Sequence, residues 1–345
     1  VWSPKVVYSA KDTIINAASS SGNVYGVDID NHTQSLPNDL YPSAVVNHTG
    51  NVKINAQSRD QEAFGVYVHS AKPNKESGTD QGGAANFSKE LNIKAVSANS
   101  NATGIFVSGA PITDENGEVL FTSGQASVNT SGDTTIVAAG KTASYALNAE
   151  ADGQITVGST GKTVHLTGDI VAKNDGVINI AGKTNTINGI VKAVDGGTVN
   201  LSGASDAVYN NININSFVTQ GTGSNGSVKL NGGTMDFGTL NNQNLASNSF
   251  VVNGGSLKAA GTAIDSGDVL SVVNNAVKFE SGKLILSDEK YNLAWLKTAK
   301  AALNNADSGT MGLVVTGTLV TTDGKIQTEA SASDLADTGA VQAGV

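Results

Sequence analysis

The sequence contains no cysteine, a single arginine and few aromatic or charged side chains. Aromatic residues make up 5% and charged residues 15% of the 345 residues, whereas average globular chains carry about 25% charge. Without cysteine, no disulfide can stabilise the fold. The formal net charge of −9 and the scarcity of basic residues argue against nucleic acid or an anionic membrane as a partner. No apolar run is long enough to predict a transmembrane helix.

What the sequence does contain is a repeat. An isoleucine recurs every 39 residues and is followed eleven residues later by a glycine, at Ile15/Gly26, Ile54/Gly65 and Ile93/Gly104. A fixed period in this range predicts stacked repeats, in which a single unit cannot bury its apolar face alone. The prediction of the fold therefore starts from the repeat in residues 13–107.

The alternation along the second strand of each unit indicates which residues face the core. Its apolar members share one parity and should face the core; they are Val27, Ile29, Val66, Val68, Ile105 and Val107. The opposite parity contains Asp28, Tyr67 and Phe106. If the units stack in register, Tyr67 and Phe106 form an outward aromatic column, which either binds a ligand or is covered by the neighbouring loops.

From residue 150 the period shortens, and the motif becomes Gly-x-hydrophobic-x-hydrophobic, starting at Gly153, Gly176, Gly197 and Gly226. A repeat of about 22 residues with three short strands is one coil of a parallel β-helix. The 39-residue units are then the same coil with an added loop at 30–45, 70–88 and 109–127. Asn116-Gly117, between extended apolar pieces, predicts a hairpin in the third loop.

We predict a single all-β β-helix domain over 1–327. Its parts are an N-terminal strand or cap (1–12), loop-decorated coils (13–149), plain coils (150–286), a helix (287–305) and terminal strands (306–327). The helix is predicted because Ser287 is a good N-cap and an apolar stripe with Trp295 follows at helical spacing. Residues 328–345, rich in small residues, predict a linker.

The sequence offers little chemistry. The four histidines lack metal-ligand spacing, and we expect no cofactor, metal or catalytic residue. A solvated turn is favoured over a calcium site at Asp114–Glu118. The enzyme alternative is a polysaccharide lyase or glycoside hydrolase, which would use paired carboxylates along one face, such as Asp28/Asp30 or Glu150/Asp152.

The repeat style, as in Gly176-Val-Ile-Asn-Ile-Ala-Gly and Gly197-Thr-Val-Asn-Leu-Ser-Gly, resembles that of bacterial autotransporter passenger domains. The exoproteins of two-partner secretion look similar. The resemblance spans roughly residues 10–320. It implies a right-handed parallel β-helix that reaches the bacterial cell surface through a C-terminal outer-membrane translocator not found in this sequence, or that is secreted.

The resemblance also implies virulence-related adhesion, self-association or biofilm formation. We expect an adhesin that binds host glycans or cell-surface or matrix proteins, or further copies of itself. The loops and outer faces of the first half would carry the contacts, with these candidate ligand-binding residues: Tyr41, Tyr67, Phe106, Leu120 and Phe121. A passive spacer within a larger surface protein is the third reading.

Overall fold

The computed structural model describes residues 5–8, 10–31, 44–73, 82–114, 116–210, 217–237, 245–247, 249–260, 277–292, 311–320 and 341–344. All regular structure in this part of the chain is β-strand. No described segment forms a helix that could span a membrane.

The loop-bearing half contains the first fourteen strands. They are β1 (Lys5–Tyr8), β2 (Asp12–Ser19), β3 (Val24–Asn31), β4 (Ala44–His48), β5 (Asn51–Ser58), β6 (Ala63–Pro73), β7 (Gly83–Phe87), β8 (Leu91–Ser97), β9 (Ala102–Ser108), β10 (Ile112–Thr113), β11 (Val119–Ser123), β12 (Ala126–Thr130), β13 (Thr134–Gly140) and β14 (Ser144–Glu150).

The plain repeats continue with β15 (Gln154–Val157), β16 (Thr163–Thr167), β17 (Asp169–Lys173), β18 (Val177–Ile180), β19 (Thr184–Asn188), β20 (Val191–Val194), β21 (Thr198–Leu201), β22 (Val208–Asn210), β23 (Phe217–Val218), β24 (Ser227–Leu230) and β25 (Thr234–Phe237). The last strands are β26 (Phe250–Ala260), β27 (Val277–Asn292), β28 (Met311–Val320) and β29 (Val341–Gly344).

Apart from β10 and β11, these strands form three parallel ladders, which successive repeats extend in chain order. The first ladder contains β1, β4, β7, β12, β15, β18, β21, β24 and β26. The second contains β2, β5, β8, β13, β16, β19, β22, β25 and β26 to β29. The third contains β3, β6, β9, β14, β17, β20 and β23. The described part of the chain is thus all-β with long parallel sheets, which is consistent with the predicted parallel β-helix.

The core lies between the three ladders, because side chains from all of them form one buried apolar cluster. The predicted inward parity of the third ladder is confirmed: Val66, Val68, Ile105 and Val107 are fully buried, and Val27 and Ile29 nearly so. The predicted register is also confirmed, since Ile15 aligns with Ile54, and Ile54 with Ile93.

The glycine of each repeat touches the isoleucine of the next. A Cβ built on Gly26 would overlap Ile54 Cγ2, one on Gly65 would overlap Ile93 Cγ2, and one on Gly104 would overlap Ile136 Cγ2. The two sequence anchors therefore recur together because they are in contact across neighbouring repeats, and any larger residue at the glycine would displace the isoleucine branch.

The turns that lead from the third ladder back to the first contain left-handed residues. Ala151 (φ 49°) and Asp152 (φ 63°) stand where the next repeat has Asn174 (φ 50°) and Asp175 (φ 66°). Asparagine tolerates this conformation, whereas alanine pays a steric cost of roughly 1–2 kcal/mol. The geometry of the repeat, rather than the backbone conformational preference of Ala151, therefore determines this turn.

Changing Ala151→Asn should therefore raise the free energy of unfolding by about 1 kcal/mol, because the backbone strain is relieved. Thermal and urea unfolding would measure the gain. The reverse exchange, Asn174→Ala, is the matched control and should destabilise by a similar amount. Equal stability of both variants and the parent would show that the turn conformation carries no cost.

One predicted element is wrong. Ser287 and the five residues that follow it extend β27 rather than starting a helix, and they pair with β28 from Ser287↔Thr316 to Asn292↔Val320. Pairing with the neighbouring strand determines the structure of this segment more strongly than the N-cap and the helical apolar pattern do, because helix propensity is only a weak predictor. Residues 293–305 of that prediction lie outside the described residues. Within the segment predicted as a linker, Val341–Gly344 form β29 and pair with β28.

Candidate functional site

Two of the predicted ligand-binding residues meet on the outer face of the third ladder. Tyr67 of β6 and Phe106 of β9 are register partners. Their ring centroids lie 5.1 Å apart with an interplanar angle of 11°. Both side chains are partly exposed. The register deduced from the sequence thus places these rings side by side, on the face opposite the buried valines of the same strands.

Two further rings, which the sequence reading did not select, join them. Tyr25 of β3 and Phe64 of β6 are parallel at 5.2 Å. They meet Tyr67 nearly at right angles, each at 5.3 Å, and Phe64 lies 5.9 Å from Phe106. Such edge-to-face contacts add about 0.5–1.5 kcal/mol each beyond burial. We call Tyr25, Phe64, Tyr67 and Phe106 the aromatic cluster.

Tyr25 and Phe64 were missed because the alternation breaks at the repeat glycine. Val24 and Val27 are both buried, at 4% and 9% exposure, although they are three residues apart. Gly26 occupies the extra position, so Tyr25 and Asp28 share the outer face. Counting by twos from Val27 assigns Tyr25 to the core. The glycine in each repeat was the available signal, since an isolated glycine in a strand often marks a bulge.

Polar side chains border the aromatic cluster at the carboxyl ends of the strands. Asp28 is the register partner of Tyr67, and Asp30 is the register partner of His69. His69 Nδ1 lies 3.2 Å from Asp30 Oδ1, and its Nε2 lies 3.1 Å from the carbonyl oxygen of Ala110. The imidazole thus connects β3 to the chain segment that follows β9.

Glu150 reaches the same border from a repeat that the sequence places far away. It is the register partner of Ser108, which is in turn the partner of His69. Its Oε2 lies 2.7 Å from Lys173 Nζ. The ladder therefore brings Glu150 into line with Asp30 and His69, about three strand spacings, or roughly 14 Å, along the stack from Asp30.

Three ionisable groups at the aromatic cluster have shifted pKa values. Burial and then the neighbouring Asp30 carboxylate raise the pKa of Asp28. Burial raises the pKa of Tyr67 to about 12, and the charges of Asp30, Asp28 and Glu150 act in the same direction. The hydrogen bond to Asp30 raises the pKa of His69. All three shifts favour the more protonated form; burial is the main cause for Asp28 and Tyr67, and the hydrogen bond to Asp30 is the main cause for His69.

The third loop forms one boundary of this face. Strands β10 and β11 pair antiparallel, with Asn116 and Gly117 (φ 83°) in the connecting turn, so the predicted hairpin is confirmed. Strand β11 then pairs antiparallel with the end of β6, from Phe121↔Pro73 to Ser123↔Ala71. Leu120 and Phe121 belong to β11, next to the face that carries Tyr67. Tyr41 lies outside the described residues.

Two other carboxylates considered from the sequence lie in turns. Asp114 Oδ1 accepts hydrogen bonds from the backbone N–H groups of Asn116 and Glu118, so it closes the hairpin turn. Asp152 lies in the left-handed turn after β14. Across the residues that the structure describes, no group of three or more histidine, aspartate or glutamate side chains could hold a metal ion.

Comparisons with protein-family models, with curated proteins and with solved structures found no match to this chain.

Proposed function

We propose that this chain is a right-handed parallel β-helix from the passenger of a bacterial autotransporter, displayed on the cell surface or secreted. Its stacked repeats of Gly-x-hydrophobic-x-hydrophobic strands, its lack of cysteine and its low charge support this assignment. The three parallel ladders are the arrangement that such a β-helix requires. An exoprotein of two-partner secretion is the alternative within the same architecture.

The proposed activity is adhesion to a glycan, with the aromatic cluster as the binding surface. The observation that carries this proposal is the grouping of four aromatic rings on the outer side of the third ladder, in a chain that has only 5% aromatic residues. Three of the rings are partly exposed, and the fourth, Phe64, is buried beneath them at 7% exposure. Carboxylates and a histidine border these rings. Aromatic faces pack against the apolar faces of sugars, and carboxylates accept hydrogen bonds from their hydroxyls.

Replacing Tyr67→Val together with Phe106→Asn should reduce binding to a glycan and matrix-protein array at least about tenfold, a loss of about 1.4 kcal/mol. Both new residues are taken from the same register column, where Asn148 follows Phe106 and Val171 follows Asn148. The strand should therefore accept them without refolding, and the loss reports on the rings themselves.

The matched control is His165→Asn, which removes an exposed ring from the outer face of the second ladder. It should leave the array unchanged. Undiminished binding by the double variant would exclude the aromatic cluster as the contact surface. Binding that disappears only when loops 30–45, 70–88 and 109–127 are deleted would assign adhesion to the loops. Binding that survives both changes would assign adhesion to another surface, and an array that captures nothing would favour a passive spacer.

Self-association is the second form that adhesion could take, and a different face supports it. On the outer face of the first ladder, Asn86 donates to Asn47 Oδ1 at 2.9 Å and accepts from Asn129 Nδ2 at 3.0 Å. Each amide in this row keeps further hydrogen-bonding capacity. Sedimentation of the parent and of an Asn86→Asp variant would test this, because repelling charges should dissolve any dimer.

A polysaccharide-degrading enzyme remains the alternative from another class. The feature in its favour is that Asp28 and Asp30 share the outer face, with the carboxyl of Asp28 shifted toward the protonated form. An acid paired with a carboxylate is what glycoside hydrolysis uses. Release of reducing ends from an array polysaccharide, lost in Asp28→Asn, would establish turnover. Intact recovery of every bound glycan would exclude it.

A further inference from the structure

The groups around the aromatic cluster can accept hydrogen bonds and attract positive charge, but they provide few hydrogen-bond donors or positive charges of their own. Asp28 makes no ion pair with any residue that the structure describes. Lys173, whose side chain the structure describes at this border, is already paired with Glu150 at 2.7 Å. Arg59, the only arginine in the chain, lies in a different turn and pairs with Asp60 at 2.8 Å. An anionic ligand would therefore meet carboxylates, and among the side chains that the structure describes here no unpaired lysine or arginine would balance them.

Next to the rings lies an acceptor that the fold leaves unsatisfied. Asn148 is the register partner of Phe106. It is 8% exposed, and its Oδ1 has no hydrogen-bond partner in the described structure. A buried acceptor without a donor costs about 1–3 kcal/mol. A ligand donor that drew this side chain outward would recover that free energy.

We propose that the aromatic cluster binds a glycan that carries free, protonated amino groups. This inference rests on the proposed glycan binding and specifies the ligand. A protonated amine is attracted by the carboxylates of Asp28 and Asp30 and by the faces of Tyr67 and its neighbours. The sugar hydroxyls supply the donors that Asn148 lacks.

The length of the site favours a glycan over a basic peptide side chain. The acceptors extend from Asp28 past Tyr67 and Phe106 to Asn148, which are successive positions in one register column. Three strand spacings make this about 14 Å. A single lysine or arginine side chain would fill one part of that column. An oligosaccharide with an amine and several hydroxyls on every residue would fill all of it.

The test compares three oligosaccharides of equal length by calorimetry on the intact chain: a β-1,4-linked glucosamine hexamer, its fully N-acetylated form, and a galacturonate oligomer. We expect the glucosamine hexamer to bind at least about tenfold more tightly than the N-acetylated one, and the galacturonate oligomer not to bind. Asp28→Asn should remove most of that difference, because it should weaken binding of the glucosamine hexamer much more than binding of the N-acetylated hexamer.

Asp206→Asn makes the same charge change on the plain repeats, where Asp206 pairs with Lys183 at 3.0 Å, and should preserve the preference. Equal affinity for both hexamers would overturn this inference and leave glycan adhesion standing. Binding of no glycan on the array would overturn the proposed function itself. If oligolysine binds as tightly as the glucosamine hexamer and competes with it, the site recognises positive charge alone. That result would contradict the proposed specificity for an amino-bearing glycan.

Discussion

Replacing Gly65 with alanine should lower the free energy of unfolding by about 3 kcal/mol, at the upper end of what overpacking costs. The new methyl group would overlap Ile93 Cγ2 and lie 2.6 Å from the carbonyl oxygen of Gly104. Ile93 belongs to the buried core and cannot move freely. Hydrogen exchange of the strands around position 65, together with urea unfolding, would measure the loss, since stacked repeats can open locally.

One repeat of the chain has alanine at the position of this glycine, and it suggests a control for the Gly65→Ala variant. In the fourth repeat the glycine position holds Ala146, which is buried. The anchor in the next repeat is then Leu166, the register partner of Ile136. Leucine is not branched at Cβ, so it has no Cγ2 to meet the alanine methyl. Gly26, Gly65 and Gly104 thus each face an isoleucine of the next repeat, whereas the repeat after Ala146 has leucine at that position.

Combining Gly65→Ala with Ile93→Leu should consequently recover at least about 1 kcal/mol relative to the sum of the two single changes. Ile93→Leu alone should cost less than about 1.5 kcal/mol, because volume is conserved. If the double variant is as unstable as that sum, the clash with the Gly104 carbonyl rather than with the isoleucine branch determines the cost.

The pairing of anchors explains how much of the fold the sequence could reveal. Ile54 and Gly65 recur because the backbone of one repeat lies against a side chain of the next, so the period itself encodes the stacking. Strand alternation then identified Val66 and Val68 as core. The helix prediction failed at Ser287 because it used information local to one segment, whereas β27 is held by the partner strands on both sides.

The candidate site was predictable only in part, for a similar reason. Tyr67 and Phe106 follow from register alone. Tyr25 required recognising that the glycine shifts the alternation by one residue. Glu150 required knowing that its repeat lacks the protruding loop and still aligns with the others. His69 has the same strand parity as Tyr67, but its contact with Ala110 depends on the course of the third loop, which a strand pattern does not specify.

Acidification below pH 6.5 should destabilise the protein through His48. This side chain is 3% exposed and stacks on Phe87, with ring centroids 5.1 Å apart at an interplanar angle of 3°. Burial lowers the pKa of His48, because the core disfavours the imidazolium ion. Its contribution to stability is therefore complete above the unfolded-state pKa of about 6.5 and is lost as the pH falls toward the folded-state pKa, by at most about 1.4 kcal/mol per pH unit.

His69 should act in the opposite direction and in a different window. Its hydrogen bond to Asp30 raises its pKa, so its contribution is complete below pH 6.5 and is lost as the pH rises through the folded-state value. The two histidines together predict a stability maximum near pH 6.5.

His48→Phe, which continues the Phe87 column, should abolish the loss on the acid side only, and His69→Gln should abolish the loss on the alkaline side only. Thermal unfolding from pH 5 to 8 measures both. A parent curve that is flat below pH 6.5, or a His48→Phe curve with the same acid slope as the parent, would contradict the assignment, because no other described histidine is buried in the core.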